Sequence, residues 1–286
     1  MSRQLKDIDL HLHTTASDGT STVEELLQDA RDAGLAAIAI TDHDNINAID
    51  RAIEIGQDLG IEVITGIELS ATFEDVEVHI LGYLFDHQQP QLLEKLAEIQ
   101  TGRMERLGAI IEKLQNLDVP IELEEVLELV GSGSPGRLHI ARVLCNKRIV
   151  KDIHEAFYLY LGYGKKAYIE RALFSADDAI RMIRKSNGIP VIAHPASVHD
   201  SEFIRRMTHI GLLGIEAYYP SFSISTRTEL TQLASALDLI VTGGSDCHGK
   251  ARGPNKTIGT FKVPYELLQI MKERKTTIQE CNKNGA

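Results

Sequence analysis

The feature that most constrains this chain is a strand–helix–strand–helix–strand alternation packed into its first 68 residues. Residues 6–13 alternate apolar and polar, with Ile8, Leu10 and Leu12 set against Asp9, His11 and His13, which is the period of a strand. The apolar face is expected to pack against helices. Ser21 followed by Glu24 reads as a capping box, and Val23, Leu26, Leu27 and Ala30 make a helical stripe that Gly34 ends. Residues 36–41 are a small-residue strand, a helix over about 47–59 closes at Gly60, and 61–68 return as a strand. Connections this short imply right-handed crossovers and a parallel sheet. A fourth strand over about 76–84 contains His79. The alternation resumes with strands at 189–194, 214–219 and 239–243, about seven strands in all. The expected class is α/β, a parallel β/α barrel.

Residues 86–172 interrupt that pattern. The stretch 90–130 is helical and acidic, with Leu107, Ile111 and Leu114 at helix spacing, and Gly131–Gly136 breaks it. A further helix-rich segment runs to about 170. The predicted organisation is a barrel domain from 1–85 and 173–286, with a helical, substrate-capping insertion at 86–172. From Arg137 to Arg171 the insertion carries eight Lys/Arg against three Asp/Glu, in a protein of net charge −11. Two readings stand for that stretch: a solvated helix face, or a pocket for an anion or phosphate. The Gly-rich approach to Arg137 and His139 favours the pocket, because glycines let backbone N–H groups approach a phosphate.

The overall acidity argues against a DNA-binding surface, while leaving room for a nucleotide in a local basic pocket and for cations in an acidic cleft. Hydrophobic residues make up 43% and charged residues 25%, enough for an unaided core. No apolar run reaches the ~18–20 residues of a membrane span, and the first ten residues lack a signal-peptide core. The expected location is the cytoplasm, with no membrane partner. Cys145, Cys247 and Cys281 show no CxxC spacing, which fits a reducing compartment. Cys247, between Asp246 and His248, is expected to point away from its neighbours as a bystander.

The chemistry gathers at the strand ends. His11 and His13 follow the first strand, with Asp18 in the next loop; His43 follows the second and Glu68 the third. His79 lies in the fourth, His194 follows the fifth, and Asp246 and His248 follow the last. In a parallel β/α barrel these ends share one face, which holds the active site. One buried histidine is usually a satisfied core residue. Six imidazoles and three carboxylates in one cup compete for hydrogen-bond partners, and divalent cations remove that competition. The donor set suits Zn²⁺, Fe²⁺ and Mn²⁺, and nine ligands suit three ions if one carboxylate bridges. Ligating imidazoles need an acceptor for their second nitrogen, and Asp9, Asp42 and Asp44 are placed to serve, although turn or cap chemistry explains them equally well. Clustered metals that clamp a phosphate and acidify water suggest hydrolysis at phosphorus.

His11-Leu-His13, Thr41-Asp-His-Asp44, Gly66-Ile-Glu68, His79, Ala193-His-Pro195 and Gly244-Ser-Asp-Cys-His248 resemble the PHP family, named for polymerase and histidinol phosphatase. The resemblance implies a distorted (β/α)7 TIM-like barrel with a trinuclear site in which Mn²⁺ is the first expectation. It places His11, His13, Glu68 and Asp246 on one metal, Glu68, His79 and His194 on a second, and Asp18, His43 and His248 on a third. The nucleophile it implies is a metal-bound hydroxide, not a side chain. Ser134–Arg142, Tyr160–Tyr168 and Tyr218-Tyr219-Pro220 resemble the subgroup of nucleoside 3′,5′-bisphosphate phosphatases, which includes the 5′-to-3′ exoribonuclease called ribonuclease AM. In that subgroup Arg137 and His139 contact substrate phosphate, and a lysine matching Lys165 does the same, although the usual Lys-Pro reads Lys165-Lys166 here. For Tyr218 and Tyr219, packing at a strand end and substrate contact are equally good explanations. The implied reaction is removal of the 3′-phosphate from a nucleoside 3′,5′-bisphosphate, and trimming of short 5′-phosphorylated RNA. The competing readings are a phosphatase for another small phosphomonoester, such as histidinol phosphate, and a metal-binding module without activity.

Overall fold

A computed structural model describes residues 7–74, 76–131, 133–170, 174–195, 201–249 and 257–284. Arg171 and the 172/173 boundary lie outside them, as do the last two residues. The elements run β1 (Asp7–Leu12), α1 (Val23–Asp32), β2 (Ala37–Ile40), α2 (Ile49–Leu59), β3 (Glu62–Phe73) and β4 (Val76–Tyr83). The helical segment follows: α3 (Pro90–Gln115), α4 (Leu123–Val130), α5 (Arg137–Asn146), α6 (Ile153–Ala156) and a π-turn at Phe157–Leu161. Then come α7 (Ala176–Lys185), β5 (Ile189–Ile192), α8 (Ser201–His209), β6 (Gly214–Tyr218), α9 (Ile224–Ala236), β7 (Ile240–Gly243), β8 (Val263–Pro264) and α10 (Tyr265–Asn284). The strands form one sheet in the order β7-β6-β5-β4-β3-β2-β1-β8. Leu12 bridges to Cys247 just beyond β7, so the sheet nearly closes into a barrel.

Three local expectations are corrected. The capping box of α1 is Thr22 with Glu25, one residue later than predicted, because Ser21 is buried and its carbonyl accepts from Thr15 N–H. The sheet is not all parallel. β4 returns as an antiparallel hairpin partner of β3 and is antiparallel to β5 as well, while β8 runs antiparallel to β1 and makes an eighth, two-residue strand. Only two residues separate Phe73 from His-bearing β4, which starts at Val76, too few for a helical crossover. β3 therefore extends to twelve residues, and Glu68 lies within a strand rather than after one.

The third correction concerns the apolar face of β1. The β1–β2 register slips between Asp9 and Leu12. Ile8 and Leu10 cluster with Ala37, Ala39, Leu81, Val191 and Ile240 from strands all round the barrel, closed at one end by Leu268 and Met271 of α10. Leu12 joins Leu26 and Leu27 of α1 outside. A bulge of this kind switches the face a strand presents, and such bulges concentrate beside active sites. Here it lets Leu10 fill the lumen while His11 and His13 open into the cup above it.

The helical segment has its own apolar cluster, which joins Leu107, Ile110, Ile111 and Leu114 of α3 to Val126, Ile140 and Leu144 of α4 and α5. The first turns of α3 belong elsewhere: Leu92 and Leu96 pack with Ala179, Ile180 and Ile183 of α7 against the barrel. One continuous 26-residue helix thus spans both clusters and fixes the helical segment over the mouth of the cup.

Candidate metal centre and anion cleft

Every strand-end residue expected in the cup arrives there. Glu68 is the hub. Its Oε1 lies 2.7 Å from His79 Nδ1 and 3.1 Å from His194 Nε2. Its Oε2 lies 3.2 Å from His11 Nε2, 3.2 Å from His13 Nε2 and 3.3 Å from His43 Nδ1. Asp246 Oδ1 is 3.4 Å from His13 Nε2 and 3.6 Å from His11 Nε2. Asp18 Oδ1 is 3.2 Å from His248 Nε2 and 3.9 Å from His13 Nδ1. The antiparallel β4 still delivers His79, because it pairs with Ser70, two residues from Glu68.

Four overlapping groups have ligand atoms spaced to hold an ion: His13, Asp18, His43 and His248; His11, His13 and Asp246; His11, Glu68 and His194; and His43, Glu68 and His79. The chemistry of the cup fits cations. Both ring nitrogens of His13, Nδ1 of His43 and Oδ1 of Asp18 are buried without a properly oriented hydrogen-bond partner. Leaving such groups unanswered costs about 1–3 kcal/mol each, which a shared cation would offset. The rings of His13 and His248 stack at 4.0 Å, closer than two protonated imidazoles would favour.

Electrostatics point the same way. Burial opposes charge on Glu68, but His43 and His11 hold its carboxyl well below the usual range. His248 does the same for Asp18 and Asp246 against their own burial. Burial also disfavours a charged His13, yet Asp246 and Glu68 push it up to about 9. His43 is pushed down to about 3, chiefly by burial. The cup is a set of ionised carboxylates that draws positive charge in, whether as protons on imidazole or as metal.

Asp9 and Asp42 do not orient imidazoles as expected. Asp9 Oδ1 accepts from the backbone N–H groups of Ser245 (2.9 Å) and His11 (3.3 Å), tying β1 to the end of β7. Gly244 permits that approach, since a Cβ there would lie 2.4 Å from His11 N. Asp42 accepts from Thr14 N–H (2.7 Å), Thr14 Oγ1 (2.6 Å) and Ser17 Oγ (2.5 Å), and so fixes the loop that carries Asp18. Asp44 is held in the left-handed region (φ 50°) by Ser70 N–H and by Arg103, whose Nε donates to Oδ2 at 2.7 Å. His194 (φ 29°) and Asp246 (φ 52°) are also left-handed, a strain of order 1–3 kcal/mol each that concentrates at the site.

The acceptor that sequence reasoning missed is Glu216. It is fully buried in β6; its Oε1 accepts from His11 Nδ1 at 2.8 Å and its Oε2 from the backbone N–H of His194 at 2.7 Å. A lone carboxylate between Ile215 and Ala217 in a short core strand was the available signal. Tyr219 Oη donates to Asp246 Oδ2 at 2.8 Å, so this tyrosine supports the cup. Cys247 is buried with its Sγ accepting from Gly249 N–H, and burial raises its thiol.

A cleft leads from Asp18, His43 and His79 to the helical segment, where Arg103, Arg106 and Arg137 line it beside Leu107, Ile110 and Phe157. Arg137 sits 5.6 Å from the Phe157 ring and 5.8 Å from Tyr168, and donates to Leu161 O. His139 does not line this cleft. It is buried, and its Nδ1 accepts from Gly136 N–H at the start of α5, capping the helix. Lys165 does not line the cleft either; it is exposed, with its Nζ 4.6 Å from the centre of the Tyr158 ring.

Residues 9–157 match the model of the PHP domain family. The chain is 33% identical over 248 residues to a 5′-3′ exoribonuclease of Haemophilus influenzae, covering 85% of this chain and 90% of that one. It is 31% identical to a phosphoribosyl 1,2-cyclic phosphate 1,2-diphosphodiesterase of Eggerthella lenta (90% and 98% covered). It is 29% identical to a 3′,5′-nucleoside bisphosphate phosphatase of Chromobacterium violaceum (96% and 98% covered). A solved structure described as an amidohydrolase from Chromobacterium violaceum, with bound sulfate and no metal, superposes with a TM-score of 0.85 at 28% identity, covering 94% and 96% of the two chains. Matched over half its length by the family model and nearly end to end by these relatives, the chain belongs to the PHP family.

Proposed function

We propose that this protein is a metal-dependent phosphoesterase that removes the 3′-phosphate of nucleoside 3′,5′-bisphosphates and acts from the 5′ end on short 5′-phosphorylated RNA. The observation that carries this reading is one cleft that joins the cation-attracting cup at His43 and His79, which would take a phosphoryl group once it held metal, to the arginines of the helical segment around Arg137. Both substrates present a 5′-phosphate and a 3′ phosphoester on one nucleoside. The relatives named for a bisphosphatase and an exoribonuclease support it.

The family resemblance implies three divalent ions, which His11, His13, Glu68 and Asp246, then Glu68, His79 and His194, then Asp18, His43 and His248 would hold; the closely spaced donor groups His11, Glu68 and His194, and His43, Glu68 and His79, divide the partners of Glu68 differently. Mn²⁺ is the first choice, with Zn²⁺ and Fe²⁺ compatible with the same ligands. When bound, such ions acidify water and neutralise charge on a phosphoryl group. The chain's own part is positioning. Glu216 holds His11 by its ring and His194 by its backbone. Tyr219 holds Asp246, and Asp42 holds the Asp18 loop. Arg137 anchors the remote phosphate, and the helical segment acts as the cap that reads the substrate.

The test is a substrate panel with Mn²⁺: adenosine 3′,5′-bisphosphate, adenosine 3′-phosphate, RNA with and without a 5′-phosphate, and a 1,2-cyclic phosphate of phosphoribose. The expected preference is for the first compound and for 5′-phosphorylated RNA. Arg137→Ala should raise KM for these about 10- to 100-fold, the loss of one charge-assisted contact. Equal turnover of 5′-phosphorylated and 5′-hydroxyl substrates would overturn the reading, and preference for the cyclic phosphate would replace it.

A further inference from the structure

We propose that Arg106, on α3, is a second phosphate-binding residue that works with Arg137 to select substrates carrying a phosphate remote from the scissile ester. The inference rests on the substrate reading above, and deepens it by naming a residue outside every motif that suggested it.

Three arginines converge on the cleft. Arg103 is answered: its guanidinium pairs with the buried Asp44 and donates to Pro135 O at 2.7 Å. Arg106 and Arg137 are not answered equally. Their guanidiniums lie 5.9 and 5.8 Å from the same Tyr168 ring. The carboxylate facing them is Glu77, half exposed and 3.7 Å from Arg137 Nη2. Arg106 spends Nε on Ile169 O at 2.9 Å, and its two Nη groups have no hydrogen-bond partner among the described residues.

Two part-buried guanidiniums sharing one aromatic ring, with one carboxylate at the edge, leave a positive charge and a planar set of donors unspent inside a cavity. Such a fork matches a phosphate, which takes two N–H groups from one arginine and further ones from a neighbour. The bond from Nε to Ile169 O holds the Arg106 side chain in place, so little freedom is lost when an anion arrives. Arg106 binds the remote phosphate and takes no part in the chemistry at the cup.

The experiment uses the Mn²⁺-loaded full chain and two substitutions. Arg106→Gln removes the charge but keeps an N–H donor, and Arg106→Lys keeps the charge but loses the fork. One arm is calorimetric titration with adenosine 5′-phosphate and with adenosine. Arg106→Gln should weaken adenosine 5′-phosphate about 10- to 100-fold and leave adenosine unchanged, with Arg106→Lys between it and the unmodified protein. The other arm compares adenosine 3′,5′-bisphosphate with adenosine 3′-phosphate. Arg106→Gln should raise KM for the bisphosphate alone, at kcat within about threefold. Unchanged adenosine 5′-phosphate affinity, or equal losses on both substrates, would overturn the role of Arg106. If the unmodified protein fails to discriminate between the two substrates, the substrate reading falls. The titration still decides Arg106.

Discussion

Replacing Glu216 with glutamine tests how the cup is held. Glu216 accepts two hydrogen bonds at once, from the ring N–H of His11 and the backbone N–H of His194. Glutamine has the same shape but one acceptor oxygen and one NH₂ group. Whichever way the amide turns, one of those donors faces another donor. At about 1.5–3 kcal/mol for a buried hydrogen bond to a charged group, the loss corresponds to roughly 10- to 150-fold. That range overlaps the 10- to 100-fold cost in metal affinity typical of removing a ligand's orienting partner. The assay is Mn²⁺ activation in chelator-buffered solutions, with metal content measured directly. The apparent Kd for Mn²⁺ should rise by that factor, and kcat should recover at saturating Mn²⁺. Unchanged Mn²⁺ affinity, or activity that stays lost in fully loaded protein, would refute the argument, because Glu216 would then act on something other than the ligands.

Two further outcomes follow from the same geometry. Burial opposes a proton on His13, but Asp246 and Glu68 raise it from an ordinary 6.5 to about 9 in the fold. A raised value gives stability that is full below about pH 6.5 and lost as pH climbs through 9. The Tm of chelated protein should therefore fall across that window, while Mn²⁺-loaded protein, with neutral imidazole ligands, should not; a flat or rising chelated curve in calorimetry counts against the assignment. Gly244→Ala puts a Cβ 2.4 Å from His11 backbone N, a clash no rotamer relieves. It should cost about 1–3 kcal/mol as overpacking at the barrel seam, read as a lower Tm with weaker metal retention, and an unchanged Tm would show that the seam can open freely.

What could be read from the sequence, and what could not, divides by the range of the interaction. His11, His13, His43, His194, Asp246 and His248 were legible because each sits where a strand stops, and strand ends follow from local periodicity. Glu68 and His79 were found by pattern but assigned to the wrong geometry. No local signal separates a β3–β4 hairpin from a parallel pair until the shortness of the connection between them is weighed against the two-strand register. The bulge in β1 was invisible for a related reason. Strict alternation from Ile8 to His13 looks uninterrupted, and only the slipped pairing with β2 reveals that Leu10 and Leu12 face different cores.

The residues missed altogether, Glu216, Arg103 and Arg106, act through partners far away in sequence. Arg103 meets Asp44 across 59 positions, and Glu216 meets His11 across 205. This has a mechanical consequence. Gln100 donates to Asp44 O, and Arg103 to Asp44 Oδ2, from one turn of α3, while Ser134 N–H donates to Ala16 O in the Asp18 loop. Asp44 is the residue after His43, and Arg142 Nη2 reaches Asp18 O from α5 at 2.6 Å. The helical segment is therefore bonded to the backbone beside two of the expected metal ligands, not laid over them. Since α3 also carries Arg106, the proposed phosphate-reading arginine and the contacts beside the expected metal ligands share one continuous helix. If both roles hold, the distance between the remote phosphate and the ions is fixed by that shared helix, so substitutions that loosen Arg103 from Asp44 should disturb both ends together.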